Sequence, residues 1–209
     1  FKLSKTDEDN TRTIMYHEEK QRKVYSQSFS NLENYLSSLE LSLHITRGSH
    51  IPVARVAQLT QKTNQFNLTT NRYSETEILR MIGDSLIDIY SFQLKDRFGE
   101  YGTTGVAIIK MNKSRSTANI DNFLMSCRVI GRNVEKQFFA ELVKELKNRR
   151  VSILKSSFIP TPKNEQVSFF YENLGFSLIS DKNGLKSYSL SLENYKPKEI
   201  SYINSSIGI

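Results

Sequence analysis

Residues 164–176 read Asn-Glu-Gln-Val-Ser-Phe-Phe-Tyr-Glu-Asn-Leu-Gly-Phe, and this stretch decides the fold. Val167, Phe170 and Leu174 recur at three- and four-residue spacing, which predicts a helix over Glu165–Leu174 with one apolar stripe. Gly175 follows at the position where a helix ends in a left-handed turn, and Phe176 opens the next strand. Taken alone, this is a core helix with a glycine cap.

Working outward, the preceding pattern predicts a strand over Val151–Ile159 and, before it, a helix from Asn133 to Arg149 whose face carries Phe138, Phe139, Leu142, Val143 and Leu146. Three strands come earlier, Leu86–Lys95, Gly105–Met111 and Ala118–Met125. The turn-rich segments 96–102 and 112–116 between them are short enough for hairpins. Ahead of these lie a short strand, Phe66–Thr70, and a helix opened by the capping pair Ser74 and Glu77 and closed near Gly83. A final hairpin joins Phe176–Ile179 to Leu185–Leu192 through Asn183–Gly184. Three hairpin-linked strands before the first crossover exclude a doubly wound sheet. The fold class is α+β, a mixed sheet flanked by helices.

The first quarter is more polar. Thr6 with Asp9 opens a helix reaching Gln27, and Ser30 with Glu33 opens a shorter one. Leu39, Leu41, Leu43 and Ile45 alternate with polar residues as in a half-buried strand, and Pro52 starts a helix faced by Val53, Val56, Ala57 and Leu59. The change of texture near residue 65 suggests three parts: an N-terminal helical segment over 1–64, the α+β domain over 65–195, and a tail over 196–209.

The chain has 209 residues, a formal net charge of +7 and a pI near 9.4, which suits an acidic partner. Lys and Arg are interspersed with Asp and Glu rather than gathered on a stripe, so nucleic acid is not the expected partner. The apolar runs are only a few residues long, giving no membrane span and no signal segment. A single cysteine, Cys127, rules out an intrachain disulfide and fits a reducing, cytoplasmic setting. His17, His44 and His50 show no metal-ligand spacing, so no metal is expected.

Two further stretches could carry chemistry. Residues 126–134, Ser-Cys-Arg-Val-Ile-Gly-Arg-Asn-Val, join a strand to a helix start. Backbone N–H groups at such a start, a glycine allowing close approach, and Arg128 and Arg132 on either side of Gly131 make a phosphate cradle, or else an ordinary basic surface turn. Within it, Cys127 reads either as a small buried hydrophobe or as a thiolate favoured by Arg128 and the helix start. The polar run Lys62, Asn64, Gln65 and Asn67 is either a turn network or a set of substrate contacts.

The stretch at 126–134 and the one at 164–176 together resemble the GNAT N-acetyltransferase superfamily. Arg128 and Gly131 match its phosphate loop, with Asn133 departing from a small residue; Asn164, Phe170, Tyr171, Glu172, Gly175 and Phe176 match its second motif. The resemblance implies that Arg128, Gly131, Arg132 and Asn133 hold the phosphate of coenzyme A or of a phosphopantetheine arm. It also implies that Asn164 orients the pantetheine, that Tyr171 protonates the leaving thiolate, and that the strands ending at Met125 and Ile159 splay around the arm. A narrower resemblance, to FkbH-like proteins, rests on Arg55–Thr70, Asp96–Gly99, Phe123–Arg132 and Ile159–Asn164. That family joins a HAD-type phosphatase domain to a GNAT-like domain and loads a glyceryl unit onto an acyl carrier protein. By this resemblance the chain, which lacks the HAD Asp-x-Asp motif and does not start with Met, is the C-terminal part, with the HAD-type domain and the carrier protein as partners and Cys127 as acyl-accepting nucleophile. An acetyl-CoA-dependent N-acetyltransferase, with Asp121 or Glu172 as base, and a non-catalytic docking module are the alternatives.

Overall fold

The computed structural model describes residues 7–208, with side chains from Thr13 onward; the expected Thr6–Asp9 cap lies outside the described residues. In chain order the elements are α1 (Asp7–Ser26), α2 (Leu32–Ser38), β1 (Leu41–Arg47), α3 (Val53–Lys62), β2 (Phe66–Asn67), α4 (Glu75–Ile82), β3 (Ile87–Asp96), β4 (Gly99–Met111) and β5 (Thr117–Met125). They continue with α5 (Val134–Asn148), β6 (Ile153–Phe158), α6 (Phe170–Asn173), β7 (Ser177–Lys182), β8 (Leu185–Ser191) and β9 (Ile203–Gly208). The strands form one mixed sheet in the order β7-β8-β6-β5-β4-β3-β1-β9, with β2 paired alongside β5. Only β5–β6 and β1–β9 run parallel.

Helices cover both faces of the sheet, which explains the unbroken apolar run Val106–Ile109 in β4. Ala107 and Ile109 face the larger core, built with Phe138, Phe139, Leu142 and Leu146 of α5. Val106 and Ile108 face a second core with Val56 and Leu59 of α3 and Ile78 of α4. A strand buried on both faces has no reason to alternate. Ser74 and Glu77 form the expected reciprocal capping box at the start of α4. The β7–β8 turn places Asn183 and Gly184 at φ 55° and 83°, the double left-handed geometry that favours Asn-Gly.

The sheet crosses both of the expected boundaries. β1 pairs with β3 on one side and with β9 on the other, and α3 seals the second core, so residues 41–64 and 203–208 belong to the same body as 65–195. β9 escaped notice because its Asn-Ser-Ser centre is polar. Ile203 is buried, and Ser205 donates to Glu141 and accepts from Gln137 on α5. The N-terminal helix also packs on this body: the Arg22 guanidinium reaches Asp96 in the β3–β4 turn at 2.7 and 3.0 Å.

Smaller departures have local causes. The α2 cap is Asn31, not Ser30, because its side chain accepts the Asn34 N–H at 2.8 Å. β4 begins at Gly99, not Gly105: Asp96 accepts the Phe98 and Gly99 N–H groups and tightens the turn. The helix expected over Glu165–Leu174 is split into a 3-10 turn, Glu165–Val167, and the single turn α6. Among the described residues no helix is long and apolar enough to cross a membrane.

Candidate functional site

β5 and β6 pair in parallel only from Thr117–Ile153 to Ile120–Ser156; beyond that register they part. The splay is the one expected of strands flanking a pantetheine arm, but the chain fills it itself. β2 pairs antiparallel with Met125 and Leu124 of β5, the Leu68 N–H donates to the Phe123 carbonyl at 3.2 Å, and the Ile159 N–H donates to the Leu68 carbonyl at 2.8 Å. Residues 66–68 therefore form a strap bonded to both sides of the gap. Phe66 and Leu68 are buried in the main core, Phe66 edge-on to Phe170 at 5.2 Å.

Asn164 fixes the strap. It is fully buried; its amide donates to the carbonyls of Asn67 and Ile159, both at 2.9 Å, and its oxygen accepts the Thr161 N–H at 2.7 Å. The residue expected to orient a pantetheine thus holds the chain's own backbone there. Asn164→Ala should strand one buried and two half-buried backbone groups and cost about 2–3 kcal/mol, read by urea denaturation; a loss below about 1 kcal/mol would mean that water satisfies them.

Tyr171 is corrected. Its side chain is 1% exposed among Phe170, Phe176 and Tyr188, and burial drives its phenol far above the ordinary tyrosine range. It is a core residue, unable to meet a leaving thiolate. The alternative bases are also committed: Asp121 binds Lys110 Nζ at 2.6 Å and the Tyr73 hydroxyl, and Glu172 accepts from the Tyr188 hydroxyl at 2.6 Å and Lys186 at 3.2 Å.

The loop after β5 is present as a 3-10 turn, Cys127–Val129, followed by Gly131 at φ 85°, a conformation that favours glycine. Arg128 is exposed, while Arg132 and Asn133, half-buried, are bonded to neighbouring tyrosines. Arg132 donates to the Tyr101 hydroxyl and the Arg128 carbonyl, both at 2.9 Å, and stacks on the Tyr101 ring. Asn133, at φ 60°, donates to the Tyr202 hydroxyl at 2.7 Å. Glu135 adds a carboxylate to the first turn of α5, where burial raises its pKa.

Cys127 is exposed, which removes the buried-hydrophobe reading. It lies in a cavity of about 730 Å³ between α3, the loop before β2, the β5 end and residues 162–163; Arg55, Gln58, Lys62, Asn64, Gln65 and Lys163 share the lining. A separate cleft of about 190 Å³ lies behind the strap, lined by Phe66, Glu135 and Gln166. Gln65, just before the strap, lines the first space and Phe66 the second.

This sheet order, with a splay after β5 and a glycine-containing loop leading into α5, is the GNAT acetyltransferase fold. No family model and no curated protein sequence matches the chain. Solved structures do. The ribosomal-protein-S18-alanine N-acetyltransferase of Escherichia coli superposes with a TM-score of 0.53 at 16% identity, over 73% of this chain and 98% of that one. Spermidine/spermine N-acetyltransferase SpeG of Vibrio cholerae gives 0.53 at 14% identity, over 77% and 96%. The protein yncA of Salmonella typhimurium, solved with its cofactor acetyl-CoA, gives 0.53 at 13%, over 75% and 98%. The likeness is one of fold. Coenzyme A, the cofactor this fold implies, does not fit between β5 and β6 here, because the strap and its Asn164 tether fill the gap an arm needs.

Proposed function

We propose that this domain transfers an acyl unit to the phosphopantetheine thiol of an acyl carrier protein, with Cys127 as a covalent relay. One observation carries the reading: the only cysteine is exposed on a large cavity lined with cations, while the gap between β5 and β6 is closed by the chain's own strap. A thiol arm can then meet Cys127 only from the cavity side.

In the first step the Cys127 thiolate attacks the carbonyl of an acyl phosphate; a C–S bond forms, the C–O bond to phosphate breaks, and phosphate leaves with the electron pair. In the second the arm's thiolate attacks the new thioester, and Cys127 departs as a thiolate. Exchange between two thioesters is close to neutral in free energy, so the domain needs to supply positioning more than driving force. Cys127 opens the 3-10 turn after β5, with Gly131 letting the chain turn into α5. In this reading a HAD-type domain supplies the activated donor, the carrier protein is the acidic partner expected from the charge of +7, and a reducing cytoplasm keeps the thiol free.

The test is an intact-mass measurement on the protein incubated with an acyl phosphate, with and without holo carrier protein, and separately with acetyl-CoA. The expected result is acyl mass on the protein that disappears as the carrier gains it, and no adduct from acetyl-CoA. Acetylation of an amine substrate from acetyl-CoA, with no mass on Cys127, would replace this reading with N-acetyl transfer.

A further inference from the structure

The cavity over Cys127 is unusual in its charge. Arg55 on α3, Lys62 at the α3 end and Lys163 in the turn before α6 all line it, and no Asp or Glu does. Among the described residues none of these three cations forms an ion pair. Besides Leu59, Pro162 and Cys127, the remaining lining groups are neutral polar ones that can donate: Gln58, Thr63, Asn64, Gln65 and Ser126. Arg55 is the fixed member. Its Nε donates to the Thr103 carbonyl at 3.2 Å and one terminal nitrogen donates to Gln58, which leaves the other end of the fork for a ligand. Burial and nearby Arg128 both disfavour its charge. A guanidinium held in place beside other cations, with no carboxylate to balance it, is what an anion site looks like before its anion arrives. Glu75 lines a neighbouring hollow that shares Arg55 and Gln58 with the basin, and does not line the basin itself.

We propose that this basin is a binding site for a phosphate ester, gripped by Arg55, Lys62 and Lys163 beside the Cys127 thiol. The claim rests on the acyl-transfer reading only for its purpose, since an anion site can be measured without any reaction. It moves the phosphate away from the loop at Arg128–Asn133, where Arg132 and Asn133 already bond to Tyr101 and Tyr202. The phosphate can arrive in two ways, as the diester head of a carrier-borne pantetheine arm or as the monoester of a small phosphorylated substrate.

Calorimetric titration with pantetheine, 4′-phosphopantetheine and inorganic phosphate separates these. The expected result is that phosphopantetheine binds at least about tenfold tighter than pantetheine. Arg55→Gln and Lys163→Gln should each remove most of that difference, and added salt should weaken binding steeply. Lys113→Gln, in the β4–β5 turn at the other end of the sheet, makes the same change in net charge and should leave affinity unaltered. Lys163 is exposed, so its variant keeps the fold if Arg55→Gln does not. Inorganic phosphate binding as tightly as phosphopantetheine supports the anion site but assigns it to a small phosphorylated substrate, and the carrier-arm reading then fails alone. Equal affinity for pantetheine and phosphopantetheine, or an Arg55→Gln and Lys163→Gln pair that behaves like Lys113→Gln, overturns the site whether or not acyl transfer is later observed.

Discussion

Asp96→Asn should lower stability by about 3 kcal/mol, or roughly 6–12 °C in the thermal midpoint. Asp96 is 2% exposed and has five partners: Arg22 Nε at 2.7 Å, Arg22 Nη2 at 3.0 Å, the Tyr101 hydroxyl at 2.9 Å, and the N–H groups of Phe98 and Gly99 at 2.9 and 3.1 Å. Arg22 is itself buried and lies over the Tyr101 ring at 4.2 Å. Removing the negative charge strands the guanidinium, and breaking one half of a buried pair is far costlier than replacing both. The loss should centre on α1. That helix sits so close to the turn that a Cβ on Gly99 would meet a Glu18 carboxylate oxygen at 1.9 Å.

The pH dependence follows from the same contacts. Burial works against the Asp96 charge, but Arg22, the Tyr101 hydroxyl and the Phe98 N–H outweigh it and hold the carboxyl below its usual range. A carboxyl depressed in the folded state contributes stability that is complete above its unfolded pKa of about 4 and fades as pH falls through the folded value. The gap between the parent protein and Asp96→Asn should therefore be full at neutral pH and shrink below about pH 4. Denaturation curves at pH 7 and pH 3 check it; a gap that does not shrink would place the stabilisation in packing instead of charge.

Much of this architecture was legible because burial leaves a periodic trace. The alternation over Leu41–Ile45, the Ser74–Glu77 cap and the Asn183–Gly184 turn each name a local geometry, and the structure has each one. Partners are another matter. Asn164 was marked only by the resemblance to acetyltransferases, and it is central, yet nothing local says that its amide reaches residue 67, 97 positions away. Tyr171 sits in a run of aromatics, Phe169–Phe170–Tyr171, and that run points to the core more strongly than to chemistry. The polar run after α3 divides between both of its readings: Asn67 closes a turn with Thr63 and Thr70, while Lys62, Asn64 and Gln65 line the cavity. Arg55 carried no signal of its own. Its role depends on the β5 end and residues 162–163 arriving beside it, which only the closed sheet brings about.

Cys127→Ser should abolish acyl loading of the carrier, lowering its rate at least about a hundredfold, with the fold intact. The two side chains are close in size, and the residue is exposed on a 3-10 turn, where a substitution typically changes stability by no more than about 0.5 kcal/mol. A hydroxyl at this position lacks the thiolate's nucleophilicity, and no base stands ready for it: Asp121, Glu172 and Tyr171 are all bound or buried elsewhere. An ester formed on serine would also hold its acyl group too firmly for exchange with the arm's thiol. The measurement is the rate of acyl appearance on holo carrier protein, run with the HAD-type domain present, alongside far-ultraviolet circular dichroism of the variant. Phosphopantetheine affinity serves as the companion readout, because the cations that would grip the phosphate are untouched by the substitution. Loss of loading with affinity unchanged separates the thiol's covalent role from a binding one. Normal loading by Cys127→Ser would remove the relay and leave direct attack by the arm on the donor, still inside the basin between Arg55 and Lys163.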